Sequence, residues 1–265
     1  MTEPSHSVVV VCEGPSDYLV VRVLVPRVLM ELADWLEPTQ LEFRGVALGT
    51  EYLPWSAVGK LTGEPKRFKG FDDDAEWGPE STSAWKALHS VERLVDASSV
   101  GVVLLRDGDS TRSKPRLGQE RRAQIKVAVD GFIKTAPAGV PRRLRVAFGV
   151  CEPKVECWVL NALEPTLPEV AGLRSEQGLN PSTHAHLLVG GPGSKTSAKE
   201  VLARTELVSS PSDWVGVLED VSIGALALRG QETGLRQFLQ LTRCNLGLLV
   251  APYVAPCDWC TCGEE

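Results

Sequence analysis

Three groups of acidic residues in this 265-residue chain follow apolar runs, and their types suit the binding of a hard divalent cation. Glu13 and Asp17 are four residues apart, one helical turn. Asp107 and Asp109 are separated only by Gly108, and Glu156 lies beyond a further apolar run with Glu152 close by. Carboxylates brought together in a low dielectric repel and raise one another's pKa. The usual relief is a cation, and an oxygen-only set favours Mg²⁺ or Mn²⁺ over zinc. Gly108 would let the backbone bend tightly enough for both aspartates to face one ion. Two such ions, about 4 Å apart, activate a nucleophile and stabilise the leaving oxygen of a phosphodiester.

The elements that must position these residues alternate between strand and helix. Residues 7–12 form an unbroken apolar, β-branched run, the pattern of a strand buried on both faces. Ser16 is placed as a helix N-cap, and a helix is expected over 17–35, kinked or split at Pro26. Residues 41–46 read as a second strand, 84–96 as a helix and 100–105 as the clearest strand, running directly into Asp107. A basic helix over 120–134 and a strand over 144–150 follow, and Glu152-Pro153 is expected to start an apolar helix. This alternation predicts an α/β fold with a mostly parallel sheet flanked by helices. In such a sheet the ligand crevice lies at the carboxyl ends of the strands, where all three acidic groups fall.

Residues 49–83 read as an irregular surface insertion carrying Lys66, Arg67 and Lys69 and then Asp72, Asp73 and Asp74. Beyond Leu163 the pattern weakens into proline-rich turns, with helices expected over 197–207, 213–221 and 234–241. The expected division is therefore a catalytic domain at 1–165 and a mainly helical C-terminal extension at 166–265 packed on it.

Val8 to Cys12 followed by Glu13-Gly14-Pro15-Ser16-Asp17 resembles the first strand and glutamate motif of the Toprim family. Leu104-Leu105-Arg106-Asp107-Gly108-Asp109 resembles its Asp-x-Asp motif, and the likeness covers roughly residues 7–163. Pro153-Lys154-Val155-Glu156-Cys157-Trp158 is similar to a motif of the OLD-type nucleases within that family. The resemblance implies a Toprim-like sheet and a site in which Glu13, Asp107 and Asp109 bind Mg²⁺ or Mn²⁺, with Asp17 and Glu156 completing a two-ion arrangement. It also implies a downstream lysine acting on the phosphate, Lys199 or Lys195. A topoisomerase would need a tyrosine on a further large domain, and a primase would need further domains. Nuclease activity on DNA or RNA is what the resemblance leaves. OLD-type nucleases are commonly fused to an ATPase, so a separately encoded ATPase partner and a role in defence against foreign nucleic acid are expectations from the same likeness.

A formal net charge of −6 at pH 7 gives no general attraction to nucleic acid, so a local basic face would have to supply it. Arg106, Arg112, Lys114, Arg116, Arg121, Arg122 and Lys126 cluster after the Asp-x-Asp turn, and Arg142, Arg143 and Arg145 lie near the next strand. The segment 189–196 is glycine-rich, yet Val189 and Ser194 stand where a P-loop requires glycine, which excludes that motif. Seven cysteines, an odd number, fit a reducing cytoplasm better than a disulfide framework. Cys257, Cys260 and Cys262 would need Cys244 or a histidine to complete a zinc site, and His184 and His186 alternate without further ligands nearby. No apolar run is long enough for a membrane span, and a homodimer stays open. Two other readings compete. One is a haloacid-dehalogenase-type phosphatase with Asp107 as nucleophile and Asp109 as general acid. The other is a Toprim-like scaffold that binds nucleic acid without cutting it.

Overall fold

The N-terminal apolar run forms β1 (His6–Cys12), and it lies inside a sheet, not at its rim. The computed structural model describes residues 6–47, 49–61, 77–94, 100–111, 113–135, 144–191, 193–205, 207–208, 210–255 and 258–259. β1 is followed by α1 (Pro15–Met30), β2 (Leu41–Arg44), β3 (Leu53–Pro54), α2 (Trp55–Val58), α3 (Pro79–Leu94), β4 (Val100–Asp107), α4 (Leu117–Lys134) and β5 (Leu144–Cys151). The chain then continues through α5 (Glu156–Ala162), α6 (Pro168–Gln177), α7 (Ala198–Ala203), α8 (Asp213–Asp220), α9 (Ile223–Arg229) and α10 (Leu235–Asn245), with a 3₁₀ turn at Ala185–Leu187 between α6 and α7.

The sheet has the order β2-β1-β4-β5, and every pairing in it is parallel. β3 adds to the same edge of β1 as β2 but further along, with Val11 opposite Leu53 and Cys12 opposite Pro54. Successive residues of each strand face opposite cores. Val8, Val10, Val103, Leu105 and Ala147 belong to a core shared with α1 and α5–α10, whereas Val9, Val11, Val102, Leu104 and Phe148 belong to one shared with α2, α3 and α4. Both faces of the sheet are therefore covered, which is why the strands read as continuous apolar runs.

The α/β class and the parallel sheet agree with expectation, and several local features differ from it. The segment expected as a surface insertion over 49–83 contributes β3 to the sheet and buries Trp55 and Val58, and α3 already starts at Pro79. Its basic and acidic clusters at 66–69 and 72–74 lie outside the described residues. Pro26 neither splits nor ends α1, which runs through it to Met30. The N-cap is Gly14, two residues before Ser16, because Pro15 takes the first helical position, where its missing N–H is not needed. Glu152 and Pro153 do not begin a helix; the chain turns there and α5 starts at Glu156.

Residues beyond 166 supply most of the helical layer on one face. Trp158 of α5 stacks on Phe238 of α10 with ring centroids 5.1 Å apart, and its Nε1 donates to the Thr233 carbonyl at 2.8 Å. Gly149 of β5 allows this approach, since a Cβ there would lie 2.8 Å from the Trp158 ring. Cys244 at the end of α10 is disulfide-bonded, which corrects the expectation of unpaired cysteines. A residue count cannot reveal that this helix end meets another cysteine, and Cys257, Cys260 and Cys262 lie outside the described residues. Among the described residues, no helix is long and apolar enough to cross a membrane.

Candidate active site

The chain passes from β1 to β2 and β3 on one side and then crosses to β4 on the other. The order therefore reverses between β1 and β4, and the carboxyl ends of those two strands are the position at which an open α/β sheet usually holds its ligand. Glu13 follows β1 directly, and Asp107 is the last residue of β4. Glu13 Oε1 accepts the backbone N–H of Asp107 at 3.1 Å, so the two strand ends are tied together at this point.

Asp17 sits in the first turn of α1 and turns back to the loop. Its Oδ2 accepts the N–H groups of Glu13 and Gly14 at 2.8 and 3.2 Å. Burial pushes its carboxyl up to about 6, with the charges of Glu13 and Glu156 adding to the effect and the two N–H groups opposing it. Asp107 is more strongly perturbed. Burial, then the charges of Asp17, Glu13 and Glu156, push it up to about 8 against the pull of Lys154. Its Oδ1 accepts the Val155 N–H at 3.0 Å, immediately before α5. Glu13, Asp17, Asp107 and Glu156 thus act on one another as a single electrostatic group drawn from three elements.

Asp109 stands on the other flank. Its φ of 49° places it in the left-handed region, which aspartate tolerates better than most residues. The tight bend therefore belongs to Asp109 and not to Gly108. Gly108 is required for space, since a Cβ there would lie 2.8 Å from Glu152 Oε2 and 3.0 Å from the Cys151 carbonyl. The turn is held by Gly108 N–H to the Cys151 carbonyl at 2.7 Å and Asp109 N–H to the Pro153 carbonyl at 2.8 Å. Arg121 of α4 donates to Asp109 Oδ2 at 2.7 Å and to the Asp107 carbonyl at 2.6 Å. Burial would raise the Asp109 carboxyl, but Arg121 and Lys154 together hold it below its ordinary value.

Cations balance part of this charge. Lys154 Nζ lies 3.1 Å from Asp109 Oδ1 and 3.6 Å from Asp107 Oδ2, bridging the two aspartates. Arg106 Nη1 contacts Glu13 Oε1 at 2.5 Å, and its other nitrogens meet the carboxylate of Glu80 on α3 at 3.1 to 3.3 Å. Its guanidinium also lies 5.8 Å from the Trp55 ring centroid. Strand parity explains the division of labour. Asp107 faces the α1 and α5 side, and Arg106, one residue earlier, faces the side of α2, α3 and α4.

Glu13, Asp17, Asp107 and Glu156 thus lie within electrostatic reach of one another, with Asp109 alongside. Among the described residues, however, no group of three or more His, Cys, Asp or Glu side chains converges on one ligating position as the side chains stand. The donor chemistry suits a hard cation, since the group is all oxygen, but Lys154 already stands between the two aspartates. Lys199 is exposed on α7 and Lys195 lies in the loop before it; neither ion-pairs with the acidic group among the described residues. The lysine brought to the site is Lys154, whose position between Glu152 and Glu156 within the Pro-x-x-Glu-x-Trp segment was the available signal. Glu80 had no signal in the sequence, because only the packing of α3 against α4 brings it to Arg106 and Arg121.

The expected basic face divides in the same way. Arg106 and Arg121 neutralise carboxylates, and Arg122 reaches Gly234 at the start of α10, with its Nε buried without a hydrogen bond. Lys114 and Arg116 are exposed, and Arg112, Arg142 and Arg143 lie outside the described residues. Both oxygens of Glu152 are buried without a well-directed hydrogen bond. Burial pushes that carboxyl up against the pull of nearby Ser110, Arg122 and Arg121. The rings of His184 and His186 are 6.2 Å apart, and His184 Nδ1 is engaged by the Thr183 hydroxyl. Comparison with known protein families, curated proteins and solved structures found no match to this chain.

Proposed function

We propose that this chain is a Mg²⁺- or Mn²⁺-dependent nuclease of the Toprim type, hydrolysing phosphodiester bonds of DNA or RNA at the crevice between β1 and β4. The observation that carries this reading is Asp107, buried at the topological switch point with its carboxyl pushed up to about 8 by burial and by Asp17, Glu13 and Glu156. Such a surplus of negative charge in a low dielectric is stabilised by a divalent ion. Glu13, Asp107 and Asp109 would hold it, with Asp17 and Glu156 alongside. A bound ion of this kind lowers the pKa of water and offsets charge on a phosphodiester.

The chain's own groups have separable tasks. Asp17 fixes the backbone of Glu13, Arg106 orients the Glu13 carboxylate, and Arg121 holds the left-handed turn of Asp109. Lys154 is the cation that reaches the carboxylates of both aspartates, and it supplies the positive charge for a non-bridging phosphate oxygen in the transition state. A phosphatase using Asp107 as nucleophile and Asp109 as general acid is a poorer fit. It needs Asp107 ionised and Asp109 protonated, whereas their environments push the two carboxyls the opposite way. The same reading proposes a cytoplasmic protein with a separately encoded ATPase partner, whose addition with ATP would change the cleavage rate.

The test is incubation of supercoiled plasmid, single-stranded DNA and structured RNA with the chain and Mg²⁺ or Mn²⁺, beside an Asp107→Ala/Asp109→Ala variant. Metal-dependent cleavage that is lost in the variant is expected. Cleavage that survives in the variant refutes the assignment, as does the absence of cleavage of every substrate with either ion.

A further inference from the structure

Immediately after Asp109 the chain makes a small turn in which Thr111 and Lys114 form an antiparallel bridge, their backbones bonded at 3.0 and 3.2 Å. A second turn faces it, closed by a bridge between Val189 and Ser197. Between them lies a cavity of about 430 Å³, lined by Thr111, Ser113, Gly190, Gly191, Ser194 and Thr196 besides Val189. None of these carries a charge, and four bear hydroxyls that both donate and accept hydrogen bonds.

The second turn is held rigidly. Gly190 N–H donates to the Thr196 carbonyl at 3.1 Å, and the Ser194 and Thr196 hydroxyls are 3.0 Å apart. Arg204 and Gln177 anchor the Lys195 carbonyl at 2.7 and 3.1 Å, so the Lys195 side chain is carried on a fixed backbone. A Cβ on Gly190 would lie 2.6 Å from the Thr196 hydroxyl, so this wall admits only glycine without rearrangement. Charge also separates this groove from the acidic crevice. Arg106 and Arg121 are committed to carboxylates, and Lys154 lies between the two aspartates of the crevice itself. Lys114 and Lys195, one on each turn, are exposed and have no ion-pair partner among the described residues.

We infer that the groove between these two turns is the channel for the sugar-phosphate backbone of a nucleic-acid strand leaving the acidic crevice, an inference that rests on the nuclease reading of that crevice. Hydroxyls and glycine-rich backbone suit close, sequence-independent approach to phosphate oxygens, and an uncommitted lysine on each turn, next in the chain to the lining residues Ser113 and Ser194, adds the charge that such binding requires. The glycine-rich segment that fails as a P-loop thereby acquires a role that needs no nucleotide triphosphate.

The experiment measures binding of fluorescein-labelled single-stranded oligodeoxythymidylate and oligouridylate to the full chain by anisotropy, in chelator so that no cleavage intervenes. Lys114→Ala/Lys195→Ala is expected to weaken binding about ten-fold and to lower the slope of log affinity on log salt by about 1.4, roughly 0.7 for each single-strand phosphate that a lysine no longer neutralises. Ser113→Ala/Thr196→Val is expected to weaken it roughly three-fold through the removal of hydrogen bonds. Lys134→Ala, at the far end of α4, should leave binding unchanged, and unchanged thermal melting establishes that the groove variants fold. A difference between the two oligomers shows which nucleic acid the channel prefers. Undiminished affinity in both groove variants overturns the inference, and so does an equal loss in Lys134→Ala. Failure of the wild-type chain to bind either oligomer overturns the inference, while the metal-dependent nuclease reading stands or falls on the cleavage assay. Groove-dependent binding without cleavage in Mg²⁺ or Mn²⁺ supports the channel and refutes the catalytic reading alone.

Discussion

Replacing Asp107 by asparagine should stabilise the metal-free protein at alkaline pH, the reverse of the usual outcome for removing a buried charge partner. The Asp107 carboxyl moves from 3.8 in an unfolded chain to about 8 in the folded one. The folded state therefore binds this proton more tightly, and the associated stability is complete below pH 3.8 and is lost as pH rises through about 8. At about 1.4 kcal/mol for each pH unit, ionising Asp107 costs the folded state at most about 6 kcal/mol above pH ~8. Asparagine carries no charge and keeps an Oδ1 for the Val155 N–H, but it turns a second donor or a weaker acceptor toward Lys154, at a cost of about 1 kcal/mol. Solvent and counter-ions reduce the ceiling further, leaving an expected gain of about 2–4 kcal/mol at pH ~8.5 and close to none at pH ~5. Urea denaturation of both proteins in chelator across this range measures the difference. An Asp107→Asn variant that is no more stable than wild type at pH ~8.5, or whose advantage does not grow with pH, refutes the account of the site as a reservoir of like charge. Added Mg²⁺ or Mn²⁺ should then stabilise the wild type, by about 2.7 kcal/mol at a hundred-fold excess over Kd, and leave the variant unaffected.

Lys154→Met should lower metal-dependent cleavage about 100-fold while changing stability by less than about 1 kcal/mol, because the lysine is 44% exposed; turnover and urea melts separate the two effects. Arg106→Ala should destabilise by about 2 kcal/mol, since Glu13 loses its cation in a half-buried setting while Glu80 keeps Arg121. Arg106→Lys should recover less than half of that loss in thermal melting, because one ammonium cannot reproduce a fork that meets two carboxylates. Gly108→Ala should cost about 1–3 kcal/mol, since its Cβ would press on the Glu152 carboxylate and the Cys151 carbonyl; equal denaturation midpoints for variant and wild type would refute that crowding.

Much of this protein was legible in one dimension. The runs at residues 7–12, 100–105 and 144–150 are apolar at nearly every position, and only a strand covered on both faces accepts such a run, so the parallel sheet and its carboxyl edge followed directly. Because Glu13 and Asp107 adjoin those runs in the chain, their meeting at that edge followed too. Tertiary packing decided the rest. Which strand lies beside β1, and hence where the switch point opens, depends on long-range pairing that no local pattern encodes. Lys154 reaches the aspartates because residues 151–155 turn before α5 begins, and Glu80 reaches Arg106 because α3 packs on α4. The sequence pointed to Lys199 or Lys195 and not to Lys154, because a lysine's charge is the same anywhere in the chain and only the fold sets its distance from a carboxylate. The protonation of Asp107 is likewise a tertiary property, for it arises from burial and from three other carboxylates contributed by two other elements.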